Sequence, residues 1–262
     1  MDANIWYFSA TGTTEKIAQA FGEGLSGNVS YVNITLPAQR INLPPAGSGL
    51  TVIAVPVHGE RIRGFVYEAL QQLDGKGRPL VALCVYGNMG IGISLAQFAR
   101  YARKRHFRLV GVGAFIGEHT YASDAFPVGR GRPDATDLAQ ARAFGRGIRE
   151  KLKAGEAGPI HLPLPRLPMF ISKFPDQGMR LLVQQPAVEA RLCSRCGLCA
   201  RKCPLRAIDP GTLQIDERKC IRCTACVRAC PQLARKAEFR ARIFGEIFAL
   251  VGRKRKDNQV YL

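Results

Sequence analysis

Acidic side chains are scarce in this chain of 262 residues. Twenty aspartates and glutamates stand against 38 lysines and arginines, a formal charge of +18. Such a field attracts and steers acidic partners. Long apolar runs are also missing: none reaches the ~18 residues of a membrane-spanning helix. The opening Ile5-Trp6-Tyr7-Phe8 is too short and lacks the basic lead of a secretory leader, so none is expected. No G-x4-G-K-[ST] is present. Gly87-Asn88-Met89-Gly90-Ile91-Gly92 and Gly111-Val112-Gly113 are glycine-rich, but neither follows the first strand as a dinucleotide fingerprint does. No nicotinamide domain is evident, so direct reduction by NAD(P)H is not expected. The basic charge comes without a nucleic-acid-binding motif, so nucleic acid is not an expected partner.

What the chain does have is cysteine, in a pattern. Cys193, Cys196, Cys199 and Cys203 read C-x2-C-x2-C-x3-C, followed by Pro204. Cys220, Cys223, Cys226 and Cys230 repeat it 27 residues later, followed by Pro231. A cubane iron–sulfur cluster needs four thiolates from different directions, and three on one tight loop supply most of them. Zinc is the alternative, but it prefers paired C-x2-C ligands, and a third cysteine plus Cys-Pro fits it poorly. The region 187–235 resembles the bacterial two-cluster ferredoxin domain. In that family the fourth cysteine of each run serves the other cluster. The resemblance therefore implies one [4Fe–4S] cluster on Cys193, Cys196, Cys199 and Cys230, and another on Cys220, Cys223, Cys226 and Cys203. Cys84, in the apolar run Leu80 to Tyr86, reads as an inert buried strand thiol. Metal-bound thiols suit a reducing cytoplasm, the expected location.

The first 155 residues alternate strands with helices. Strands are expected at Ile5–Phe8, Val29–Ile34, Leu50–Val57, Leu80–Tyr86 and Leu109–Ile116. Helices are expected at Thr13–Leu25, Ile93–Arg105 and Asp134–Lys153. Between Leu36 and Gly49, prolines and glycines leave the helix short or missing. Continuous apolar strands indicate parallel pairing with both faces covered. The expected fold is α/β, a doubly wound five-stranded parallel sheet that binds ligand beyond its strand carboxyl ends.

After the first strand comes Ser9-Ala10-Thr11-Gly12-Thr13-Thr14. A phosphate there would meet helix N-terminal N–H groups and hydroxyls, without any cation in the loop. An ordinary capped helix start is the other reading. Together with its position after strand one, this segment resembles the FMN-phosphate loop of flavodoxins. The resemblance implies that Val57, His58 and Gly59 line one side of the flavin ring, with Tyr86, Gly87, Asn88 and Met89 on the other. Tyr86 would stack and Asn88 would hydrogen-bond the ring's polar edge. Arg61 and Arg63 depart from flavodoxin habit. Beside the ring they would stabilise its anionic reduced form; the alternative is that both point to solvent.

The whole chain thus resembles a flavodoxin–ferredoxin fusion, with a flavodoxin-like domain at 1–155, a Pro-rich basic linker at 156–186, a two-cluster ferredoxin domain at 187–235 and a basic tail at 236–262. That implies an electron-transfer protein carrying FMN and two [4Fe–4S] clusters. With cofactor charges of about −6, the holoprotein stays near about +12. Acidic redox proteins are the expected partners. The stretch Lys236–Lys256 reads as an amphipathic helix, which could pack on the domains or rest on an anionic membrane surface. Two other readings remain. One is a flavin-dependent reductase of a small molecule, with His58, Glu118, His119 and Tyr121 as candidate groups over the ring. The other is a subunit of a larger redox complex.

Overall fold

The computed structural model describes residues 1–156, 158, 160–163, 165, 168, 170, 173 and 178–262. Much of the Pro-rich stretch within 156–186 lies outside the described residues. The strands are β1 (Ala3–Tyr7), β2 (Val29–Asn33), β3 (Leu50–Pro56), β4 (Pro79–Tyr86) and β5 (Arg108–Ile116). Alternating with them are α1 (Thr13–Leu25), α2 (Gly64–Leu70), α3 (Ser94–Lys104) and α4 (Ala135–Lys153). All five strands run parallel in the order β2-β1-β3-β4-β5, the doubly wound order of flavodoxin-like sheets. One face packs Trp6, Ile53, Val55, Ala82 and Cys84 under α2 and α3. The other packs Ile5, Val52, Leu83 and Phe115 under α1 and α4. Burial on both faces explains why β3 to β5 read as unbroken apolar runs. Cys84 is fully buried in this core, where burial pushes its thiol pKa up.

Between β2 and β3, where a short or missing helix was expected, the chain makes a 3-10 turn at Pro37–Arg40. The short α2 carries too few residues for a periodic signal and was not expected.

The five-strand count needs correction. A sixth strand, β8 (Gln259–Tyr261), comes from the C-terminal tail and pairs antiparallel with Val112–Ala114 of β5. Three residues carry no readable alternation. They form a strand because β5 would otherwise present an unpaired edge.

The ferredoxin-like region is a two-fold repeat. β6 (Ala187–Val188) pairs with β7 (Arg235–Lys236) through Val188 and Arg235. The bridge between Ile208 and Ile215 is the same contact in the other half, each residue displaced by the 27-residue period. Short helices α5 (Leu198–Arg201) and α6 (Ala225–Arg228) hold equivalent places. Left-handed backbone recurs at the same period: Arg195 and Arg222, Gly197 and Thr224, Arg206 and Leu233.

The tail helix is shorter than the expected Lys236–Lys256. It forms α7 (Arg242–Gly252), because Lys236 is held in β7 and Phe239 in a bridge to Val183. Gly245 and Gly252 let α7 approach closely: a Cβ at either would collide with Phe126 or Val128.

Candidate functional site

Four loops at the carboxyl ends of β1, β3, β4 and β5 meet one face of the ferredoxin-like region and the inner face of α7. They enclose a cavity of about 500 Å³, within the roughly 300–1,000 Å³ range of small-molecule and cofactor sites.

At one end lies the loop after β1. Ala10, Thr11, Thr13 and Thr14 line the cavity. Gly12 takes φ +85°, which a side chain rarely adopts, and turns the chain into α1. No side chain caps that helix at its N-cap position. Ser9 sits behind, its hydroxyl accepting the Glu15 N–H at 3.1 Å, while its own N–H donates to Thr35 Oγ1 at 2.9 Å. Tyr7 Oη donates to Glu15 Oε1 at 2.7 Å and engages that carboxylate. The ordinary capped start therefore accounts for the Glu15 amide alone. The remaining N-terminal amides and threonine hydroxyls form a donor set suited to an anion.

The middle of the cavity is lined by Val57, His58, Gly59, Tyr86, Gly87 and Met89. Tyr86 is 6% exposed and belongs mostly to the core. Asn88 is a correction. Its amide donates to the Gly252 and Lys254 carbonyls at 2.8 and 2.9 Å and accepts the Lys256 N–H at 3.0 Å. The side chain is committed to the tail and is not available to a flavin edge. No local signal could reveal a partner 164 residues away.

Arg61 and Arg63 do not point to solvent: they are 3% and 5% exposed, and Arg63 lines the cavity. All four candidate reductase groups, His58, Glu118, His119 and Tyr121, line it too. Burial holds the His58 pKa down to about 3, helped by Arg63 and His119, and the His119 pKa down to about 4. His119 Nδ1 accepts the Tyr121 N–H at 3.1 Å, which puts its ring proton on Nε2. His58 Nδ1 is sealed from solvent with no hydrogen-bond partner among the described residues. Both imidazoles stay neutral in the fold, whereas an exposed one titrates near ~6.5. Their contribution to stability is present above that pH and is lost as pH falls toward about 4. The thermal midpoint is expected to decline between those limits, and a His58→Asn, His119→Asn variant should flatten the decline.

The far wall was missed by sequence reasoning. It consists of Phe239, Phe244 and Phe248 of the tail, with Ile221, Arg222 and Cys223 of the second cysteine loop. His119 meets Phe248 edge-on at 4.5 Å, and Tyr121 meets Phe239 at 5.9 Å. The aromatic spacing of the tail was readable; that it faces the β5 loop was not.

The two cysteine runs dock unequally. Tyr121 Oη donates to the Arg222 carbonyl at 2.8 Å, Thr224 Oγ1 donates to the Thr120 carbonyl at 3.2 Å, and Arg228 pairs with Glu118. Arg40 donates to the Pro204 carbonyl at 2.6 Å. The counterparts in the first run stay within their own half: Arg195 reaches the Gly211 carbonyl and Arg201 the Cys196 carbonyl. Thr224 stands at φ +56° where the other half has Gly197. A β-branched residue is strained there, and the Thr120 contact accounts for the choice. Arg222 is fully buried. Its Nη2 donates to Glu217 at 2.8 Å, and its Nη1 has no hydrogen-bond partner among the described residues.

The thiols gather in two groups. Cys203, Cys220, Cys223 and Cys226 surround one small cavity, next to the large one. Cys193, Cys196, Cys199 and Cys230 surround another. In each half one backbone N–H points at the fourth cysteine: Ala207 to Cys203 Sγ at 3.2 Å and Ala234 to Cys230 Sγ at 3.3 Å. Such N–H···S contacts stabilise metal-bound thiolates. By donor type an all-thiol set suits an iron–sulfur cluster, while among the described residues no three Cys, His, Asp or Glu side chains form a group that could hold a metal ion.

Residues 213–236 match the family described as 4Fe-4S binding domain. No curated protein matches the chain. Among solved structures, a flavodoxin from the domain Archaea is 18% identical, covers 58% of this chain and 99% of its own, and has a TM-score of 0.42. A Streptococcus pneumonia TIGR4 flavodoxin is 17% identical over 58% of this chain and 99% of its own, with a TM-score of 0.40. A short-chain flavodoxin associated with a non-canonical PDU bacterial microcompartment is 15% identical over 58% and 98%, with a TM-score of 0.42.

The strand order defines a flavodoxin-like α/β domain, and the family match adds a 4Fe–4S binding region. The chain thus joins a sheet of flavodoxin-like strand order to a region that matches a 4Fe–4S binding family. No helix among the described residues is long and apolar enough to cross a membrane.

Proposed function

We propose that this chain is an electron carrier that binds FMN in the large cavity and two [4Fe–4S] clusters on its eight paired thiols. When bound, FMN exchanges two electrons singly or together, and each cluster exchanges one. The observation that carries the reading is Cys223, which lines the same cavity as Thr11, Thr13 and Thr14. The threonine loop and the α1 amides would hold the phosphate. Arg63 would stabilise an anionic reduced ring. The Cys203, Cys220, Cys223 and Cys226 group would then stand between flavin and the outer group of Cys193, Cys196, Cys199 and Cys230. Cys196 is exposed, so the outer group is the natural contact for an acidic redox partner. Tethering makes the internal steps intramolecular.

A second reading is favoured by one observation. His58, Glu118, His119 and Tyr121 converge on the cavity opposite an aromatic wall, as a reductase of a small apolar molecule would require. Burial keeps Tyr121 protonated, well above the ordinary tyrosine pKa, so it could orient such a substrate.

Anaerobically purified protein tests the main reading. About eight irons and one FMN per chain are expected. About two zincs would overturn it. Steady turnover of a small molecule by the reduced protein would select the second reading.

A further inference from the structure

Helix α7 is apolar on two opposite faces. Its inner face, Phe248 with Gly245 and Gly252, is buried against the cavity and the β5 loop. Its outer face presents Ile243, Ile247, Leu250 and Val251 at 53%, 51%, 67% and 54% exposure. These recur at i, i+4, i+7 and i+8, so they form one stripe. A helix that is apolar all round is ordinarily buried; among the described residues nothing covers this stripe. Leu181, 74% exposed, lies in the turn that Arg240 ties to α7 through the Arg180 and Leu182 carbonyls.

Basic side chains flank the stripe at both ends. Arg240 and Arg242 precede it and Arg253 and Lys254 follow, all exposed. Glu246, at the margin, is neutralised by Arg242 at 2.8 Å. A second copy would bring like charges together on a chain already at +18. An apolar stripe between cationic ends is instead the pattern of a helix lying in a lipid interface.

We infer that the outer face of α7 docks on an anionic membrane surface. Ile247 and Val251 belong both to the stripe and to the cavity lining. Docking therefore turns the mouth of the cavity toward the lipid. The inference goes beyond the proposed electron transfer and does not depend on which cofactors are bound.

Vesicle co-sedimentation of the full-length holoprotein tests it. Phosphatidylcholine vesicles containing phosphatidylserine should bind the protein, and phosphatidylcholine alone should not. Added salt should weaken binding. Arg253→Gln and Lys254→Gln should each lower affinity about fivefold. Ile243→Glu with Leu250→Glu should abolish binding while the thermal midpoint and cofactor content stay unchanged. If that pair lowers the midpoint, the stripe is covered by the chain itself and the inference fails. It also fails if neutral vesicles bind equally, if no vesicle binds, or if the protein is a dimer that the pair converts to monomer.

Discussion

Cys203→Ser is expected to halve the iron content, from about eight to about four per chain, by removing the cluster of the run to which Cys203 does not belong. The reason is spatial. Cys203 closes the cavity lined by Cys220, Cys223 and Cys226, while Cys230 closes the one lined by Cys193, Cys196 and Cys199. Double variants make the assignment readable from iron alone. Cys203→Ser with Cys220→Ser should lose no more iron than either change singly, because both strike one cluster. Cys203→Ser with Cys193→Ser should lose nearly all of it. Ligation within each run predicts the reverse pair of results. The Ala207 and Ala234 N–H groups point at these two sulfurs.

Asp137→Ala is expected to be the most destabilising single change outside the cysteines. Its carboxylate is 1% exposed and accepts from Arg132 Nε at 2.7 Å, from Arg132 Nη2, from the Asp134 N–H at 2.8 Å and from Asn258 Nδ2 at 2.8 Å. Removing it leaves the Arg132 guanidinium buried and unpaired, which costs about 3–5 kcal/mol. A fall of roughly 10 °C in thermal midpoint follows for a chain of this size. The consequence reaches the cavity. The Arg132 backbone carbonyl accepts the Glu118 N–H at 2.7 Å, and the Arg132 guanidinium donates to the Lys256 carbonyl at 2.8 Å. The loop carrying Glu118, His119 and Tyr121 and the end of the tail are therefore both anchored on this pair. The variant should lose FMN on gel filtration before it loses iron. FMN retention equal to the parent protein, with the midpoint lowered, would disconnect the pair from the site.

Much of the architecture was legible along the chain. Strands β3 to β5 are apolar without interruption because helices cover both faces, and that pattern survives in the sequence. Helix α1 starts where Gly12 and two threonines announce it. The short elements were not legible. Helix α2 spans seven residues and β8 three, so neither contains a period to detect. Residues whose behaviour depends on remote partners were misread for the same reason. Asn88 looked like a flavin ligand because its loop is local, but its amide is taken by Gly252, Lys254 and Lys256. Arg61 and Arg63 were not misread: of the two readings open to them, a place beside the ring or in solvent, burial at the β3 loop removes the second.

The sequence alone determined which groups could do the chemistry. Ligand type and spacing are local properties of a chain, so the eight cysteines and the hydroxyl-rich loop of Ser9 to Thr14 could be named without coordinates. Orientation was decided only by tertiary structure. The two cysteine runs have identical spacing and so are equivalent by sequence. Docking breaks that equivalence: Tyr121, Thr120 and Glu118 engage Arg222, Thr224 and Arg228, and Arg40 holds Pro204. One thiol group is thereby set against the cavity and the other turned outward. The tail was decided the same way. Its apolar spacing fixed a helix, but the Phe126 and Val128 contacts chose which face closes the cavity and which face stays exposed.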